Sequence, residues 1–271
     1  MGPGERVKYA WPMLPGDGLP AQHSEPHASS ESPRPRAPSA ALQRVVAVLE
    51  VLICSDYPTQ LALGATFAVF GYAPTAASGR LDAAFVATFS LVDTALLVGL
   101  MMLFVYAHGE RPRQVFLGSR SVAREASFGI PLILAALAIG IAILATIQRY
   151  MPTLHTVEHN PLQDLIRTPR DVWLFVLVVV VAGGVREELQ RAFLLRRFER
   201  WLGGATVGVV VASVAFGAGH LLQGADAAIA TGSLGAFWGM VYLRRRSVVA
   251  PVVSHSGFNL LQIVQFLVTG R

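Results

Sequence analysis

Long apolar stretches separated by short polar ones organise this chain from residue 41 onward. The first, about 41 to 72, is interrupted at Ser55-Asp56-Tyr57-Pro58, where proline removes a backbone donor. It predicts either one kinked helix or an interfacial helix leading into a short span. Further stretches run over about 83–108, 128–147, from 172 into a charged segment, and over 205–222, 227–243 and 248–268. Each comes near the roughly 20 residues that a membrane span requires. The pattern predicts an all-α fold, a polytopic transmembrane helix bundle of about seven spans. It divides into N-terminal transmembrane helices over 41–127 and a core over 128–271.

Residues 1 to 40 carry no such stretch. Segments such as "AQHSEPHASSESPRPRAPSA" are rich in Pro and Ser and bury too little apolar surface to offset the entropy of ordering. A disordered tail is expected there. It has no basic region leading into an apolar core, so no secretory signal is expected.

Composition sharpens the class. The chain is 53% hydrophobic and 14% charged, with mean hydropathy +0.51, against about 25% charged residues in soluble domains. The net charge of +5 comes from arginines in alternate loops. Arg111, Arg113, Arg120 and Arg124 follow the second stretch, Arg196, Arg197 and Arg200 the fourth, and Arg244, Arg245 and Arg246 the sixth. Alternate loops share a side, which the positive-inside rule assigns to the cytoplasm. A multi-pass integral membrane protein with a cytoplasmic N-terminus is expected, in the inner or plasma membrane if the source is bacterial. Arginines dispersed between apolar runs do not form a nucleic-acid footprint. Cys54 is the only cysteine, so no internal disulfide can form.

Charge at the centre of a bilayer costs about 2.5–3.5 kcal/mol per residue even on insertion scales, so polar residues inside the apolar runs need a reason. Glu187, Glu188 and Arg191 form the first group; Arg191 lies four residues from Glu187 and three from Glu188, so either can pair with it on a helix. His220 ends "FGAGH". His255 and Asn259, four apart in "HSGFN", share one helix face. Each group alone has a bland reading, as an ion pair at a helix end, a packed histidine or a polar contact between helices.

Their depths argue for more. Glu187 lies sixteen residues before the Gly203-Gly204 turn and His220 sixteen after it, which puts both roughly 24 Å from that turn. Arg196 and Arg197 mark the basic end of the fourth stretch, roughly 14 Å from Glu187, and His255 lies nine residues past Arg246, again roughly 14 Å from the basic side. Glutamate can act as general base. Histidine can hold water, donate a proton or ligate zinc. Asn259 offers an amide to an oxyanion, and Arg191 can orient a glutamate. Asp93, inside the second stretch, is expected in a hydrogen-bonded structural role. Gly232, Gly235 and Gly239 are expected to pack closely on another helix, and Gly183-Gly184 to loosen the chain before the glutamates.

Taken in order, "EELQRAFLLRRF", "FGAGH" and "PVVSHSGFN" resemble the motifs of the CAAX-protease and bacteriocin-processing family of intramembrane endopeptidases (CPBP or Abi family), over about residues 170 to 265. The resemblance implies a membrane-embedded helical peptidase. Its substrate would be a membrane-embedded or lipidated peptide or protein reached from the surrounding lipid, and its glutamate and histidines would activate the attacking water. By position, Glu187, Glu188, His220, His255 and Asn259 are the catalytic candidates and Arg191 the orienting one. Two mechanisms stay open, a zinc site with His220 and His255 among its ligands and a metal-free one driven by glutamate; the His-Glu-x-x-His zinc signature is absent. The first motif departs from the family pattern, with two residues between the second glutamate and the arginine instead of three. Either Arg191 is the anchor, Glu187 takes the second-glutamate place and Arg186 replaces the first, or both glutamates keep their places and one residue is missing. The settings differ by about 100° of helix rotation, and Glu187 is favoured as the base. A catalytically inactive membrane scaffold or binding protein, and a transporter with buried acids as proton relays, are the competing readings.

Overall fold

The computed structural model describes residues 39–75, 81–158, 160 and 162–270, and among these the chain is helical with no strand beyond one bridge between Thr75 and Leu81. The tail expected over residues 1–40 lies outside the described residues except for its last two, where Ser39 caps the first helix by accepting a 3.2 Å hydrogen bond from the Leu42 amide.

That helix, α1 (Ala40–Ile53), and α2 (Tyr57–Val69) meet at a 46° bend. The break falls at Asp56, whose φ of +81° a side chain rarely adopts, a conformation that costs about 1–3 kcal/mol. Pro58 follows in the first turn of α2, where its missing N–H is harmless. α3 (Ala83–Ala107) starts on the Asp82 carboxylate, which accepts from the Phe85 amide at 2.8 Å. α4 (Val122–Tyr150) follows. The fourth apolar stretch becomes a continuous rod of α5 (Pro169–Val178), a π-helical segment (Val179–Arg186) and α6 (Glu187–Trp201). A Thr168–Asp171 capping box with Pro169 in the first turn opens it. Gly203 and Gly204, both at φ +97°, turn the chain into α7 (Ala205–Ala218). α8 (Ala225–Arg245) and α9 (Val249–Thr269) complete it.

α3, α4 and α9 are each long and apolar enough to cross a membrane, and the bent pair α1–α2 passes as a fourth candidate. Of the seven expected spans, the other stretches are helical but do not meet those limits of length and apolarity. α7 has 14 residues, about 21 Å of rise against a hydrocarbon core of about 30 Å. The rod and α8 carry charges at their ends.

α9 runs along α4 and the π-helical segment, α8 along α7 and α4, and α6 occupies the middle, touching α1, α3, α7 and α8. Ala192, Phe193 and Leu195 of α6 are fully buried against Leu97, Met101 and Val105 of α3 and Tyr242 of α8. Lipid removes most of the hydrophobic drive between helices, so close approach through small residues takes its place. A β-carbon on Gly217 would come within 2.6 Å of the Ala228 carbonyl, and Gly232 faces Gly217. Gly235 faces Phe216 and Gly239 faces Leu195 and Val209, so the α8 glycines form the expected packing face.

The basic loops gather at one end. Glu110, just past α3, pairs with Arg196, Arg197 and Arg200. Glu199 pairs with Arg246 at 2.6 Å, and Glu125 with Arg245 at 2.7 Å. The loops after α3, α6 and α8 thus share an end, as the arginine pattern required. Burial alone would raise the Glu110 carboxyl, but hydrogen bonds and charge from Arg197, with Arg196 and Arg200, outweigh it and hold it below the ordinary value of 4.5. A depressed carboxyl stabilises the fold above its unfolded value, and that contribution disappears as pH falls through the folded one. Glu110→Gln is therefore expected to lower the melting temperature at pH 7, with the gap to wild type closing only well below pH 4.5; a gap that is constant from pH 7 to pH 3 contradicts this. Gly184→Leu should cost about 1–3 kcal/mol by overpacking, because a β-carbon there meets the Ser256 hydroxyl. Gly99→Ala, in open space on α3, should be neutral or stabilising by up to about 1 kcal/mol. Unfolding titrations in micelles compare the two.

Candidate active site

The polar groups of the rod are set by how it is wound. A π-helical segment adds a residue to the local turn, and such segments recur at functional sites. Here it ends at Arg186, so α6 begins on Glu187 with its phase already changed. Gly183 and Gly184 serve close contact rather than looseness: a β-carbon on Gly183 would lie 2.9 Å from the Asn259 amide nitrogen, and one on Gly184 would run into Ser256. They let α9 lie against the rod.

The two glutamates then point to different places. Glu188, 1% exposed, is paired with Arg191 three residues on, and accepts from His255 Nδ1 at 2.8 Å. The ring of His255 stacks on Trp238 of α8 (centroids 3.8 Å apart, planes 17° apart), and the Trp238 indole N–H donates to Ser254 at 3.1 Å. Arg191 lies over the Phe216 ring at 4.7 Å. Glu187 is less buried. One of its oxygens, Oε1, is 3.5 Å from the Arg186 guanidinium; the other, Oε2, is 3.8 Å from His255 Nε2. The two glutamates thus face different surroundings, and Arg191 pairs with Glu188 across three residues.

Glu187, Arg186, Arg191 and Gln190 line a cavity of about 290 Å³ together with Asp56 from the α1–α2 break and His220. His220 stands beyond the end of α7, which stops at Ala218, and not on the helix that the sequence extended to residue 222. Glycines at 217 and 219 end it early. The His220 ring meets Phe216 edge-on at 4.8 Å, and its Nδ1 is 2.8 Å from the Phe216 carbonyl. A carbonyl only accepts, so Nδ1 carries the proton and neutral His220 has its lone pair on Nε2.

Glu187, Arg191 and His220 therefore share one cavity, with Glu188 and His255 directly behind it. Asn259 is not among the lining residues. Its amide makes a long hydrogen bond, 3.4 Å, to the Val179 carbonyl of the π-helical segment. Asp93 is 2% exposed and lies 3.8 Å from Arg186, which agrees with a structural role. Three contributors escaped the sequence reading: Asp56, Arg186 as a bridge, and Trp238. Only Asp56 left a trace, as a polar residue at an interrupted apolar run.

Among the described residues no three His, Cys, Asp or Glu side chains converge as metal ligands. Nδ1 of each histidine is engaged, which leaves Nε2 as its open nitrogen, and Glu188 is held by Arg191. No step below is routed through a metal.

Residues 169–261, about a third of the chain, match the family model described as type II CAAX prenyl endopeptidase Rce1-like. No curated protein and no solved structure matches the chain. The matched region contains the Glu188–Arg191–His255 network and His220, so the likeness to that family and the candidate site coincide in the chain.

Removing Arg191 would leave the Glu188 charge buried without its cation. Arg191→Met should cost about 3–5 kcal/mol of stability, and adding Glu188→Gln should recover part of it. A double variant no more stable than Arg191→Met contradicts the pairing.

Proposed function

We propose that this protein is an intramembrane endopeptidase that hydrolyses a peptide bond of a membrane-associated, prenylated or otherwise lipid-anchored polypeptide, with Glu187 as general base. The observation that carries this reading is the division of labour between the adjacent glutamates, one buried on Arg191 and one facing the cavity that His220 also lines.

In the proposed reaction the attacking water sits between the Glu187 carboxylate and the free Nε2 of His220. Glu187 takes its proton as the oxygen adds to the scissile carbonyl carbon. The C–N bond of the tetrahedral intermediate then breaks, and the proton on Glu187 passes to the departing amine. In this scheme His255 carries a proton on both nitrogens: Nδ1–H donates to Glu188, which fixes the ring from behind, and Nε2–H, 3.8 Å from Glu187, donates to the substrate carbonyl oxygen. Asn259 supports the π-helical segment in this arrangement and reaches the substrate only if that segment shifts. No metal takes part in these steps. The same reading puts the basic end of the bundle in the cytoplasm, with all seven helical segments traversing or entering the membrane.

The test uses the purified full-length protein in liposomes with a farnesylated reporter peptide ending in a CAAX sequence. Wild-type protein should release the C-terminal tripeptide. Glu187→Gln and His220→Ala should each slow release at least 10²-fold at unchanged melting temperature, and a zinc chelator should leave the rate unchanged. Undiminished cleavage by His220→Ala rules the mechanism out. No cleavage by wild type, together with histidine variants that still complement a deletion strain, would favour a non-catalytic binding protein, a reading motivated by the shortened first motif.

A further inference from the structure

Arg186 is the last residue of the π-helical segment and the residue before Glu187. It is 8% exposed, and its guanidinium fork is divided. Nη1 is in close contact with the Asp56 carboxylate and 3.8 Å from Asp93 of α3. Nη2 is 3.5 Å from Glu187 Oε1. Asp56 is itself pinned, because its Oδ2 also accepts from the Gln60 amide at 2.8 Å and its carbonyl accepts from the Thr59 hydroxyl at 2.9 Å. These contacts hold Asp56 in its left-handed backbone conformation.

A simple ion pair between helices would engage one end of the guanidinium. This one reaches outward to two other helices with Nη1 and inward to Glu187 with Nη2. The junction where π-helical winding gives way to α-helical winding falls between Arg186 and Glu187, so whatever holds Arg186 sets the rotation at which Glu187 leaves the rod. With Oε1 held by Arg186, Oε2 is the oxygen turned to His255.

We infer that the Asp56–Arg186 pair is a positioning device for residue 187: it fixes the rotation of the rod at the start of α6, keeping Glu187 on the cavity wall, and holds one carboxylate oxygen so that the other turns to His255. Its catalytic consequence rests on the reading of Glu187 as the base; its geometric content does not.

The experiment has two arms. The first needs no catalysis. In a Cys54→Ser background, Glu187→Cys puts a single thiol at the position, and its labelling by a charged, water-soluble methanethiosulfonate is timed. With Asp56 present the thiol faces the cavity and labels; adding Asp56→Ala should slow labelling at least tenfold. Asp56→Asn, which keeps the side chain's shape, serves as the second variant where Asp56→Ala does not fold, and should also slow labelling. Labelling at the unchanged rate in a folded Asp56 variant overturns the proposal. The second arm uses the farnesylated reporter. Arg186→Lys, which keeps the charge and loses the fork, should lower kcat about tenfold with KM within twofold and an unaltered melting temperature. An unchanged kcat, or a loss wholly in KM, overturns it. If wild type cleaves nothing, the reading of Glu187 as base falls and the labelling arm still decides the positioning.

Discussion

The Glu188 carboxylate, buried between Arg191 on its own helix and His255 on α9, is the contact on which the rest of the site depends. In a low-dielectric interior a lone carboxylate is untenable, and removing one partner of such a pair is far more damaging than never having built it. Glu188 must therefore keep both α6 and α9 close. The two glycines of the π-helical segment make that approach sterically open, and Trp238 covers the far face of the His255 ring. Because Glu188 is engaged inside the bundle, its neighbour Glu187 points a helical step away, into the cavity beside His220.

Charge inside the bundle is handled by one rule throughout. Arg186 meets Asp56 and Asp93, Arg191 meets Glu188, and Arg197 meets Glu50 and Glu110. Intramembrane ionisable groups are tolerated where they pair with one another or line a polar cavity; all of these pair, and Asp56, Arg186 and Arg191 also line the cavity. The bend between α1 and α2 belongs to the same scheme, because it delivers Asp56 to Arg186 at the cost of a strained backbone. The family match covers the rod, α7, α8 and the first part of α9, whereas Asp56 and Asp93 come from helices outside it. The matched region is thus buttressed from a part of the chain that carries none of the motifs.

Much of this was legible in the amino-acid order. Apolar runs located the helices, Gly203-Gly204 marked the reversal between α6 and α7, and arginines in alternate loops foretold which ends assemble together. Counting rises along helices put Glu187, His220 and His255 at one level; in the structure Glu187 and His220 line one cavity and His255 lies 3.8 Å from Glu187. Three features did not follow. Counting at 3.6 residues per turn has no term for π-helical winding, so the orientation of the two glutamates could not be settled from spacing alone. His220 was put on α7, but glycines on both sides of Ala218 end that helix early. Asn259 shares a face with His255, yet α9 lies so close to the rod that its amide reaches Val179 and not the cavity. Each miss concerns a contact between segments far apart in sequence, or a departure from ideal helix geometry, and neither is written in local pattern.

The central claim is that a single buried carboxylate couples α6 to α9 and frees the adjacent one for chemistry. A double-mutant cycle between Glu188→Gln and His255→Asn, with unfolding free energies measured in bicelles, tests it most directly. The account predicts a coupling above about 1 kcal/mol, the range found for residues in one hydrogen-bonded network. Additive effects within about 0.3 kcal/mol, the behaviour of independent sites, would contradict it.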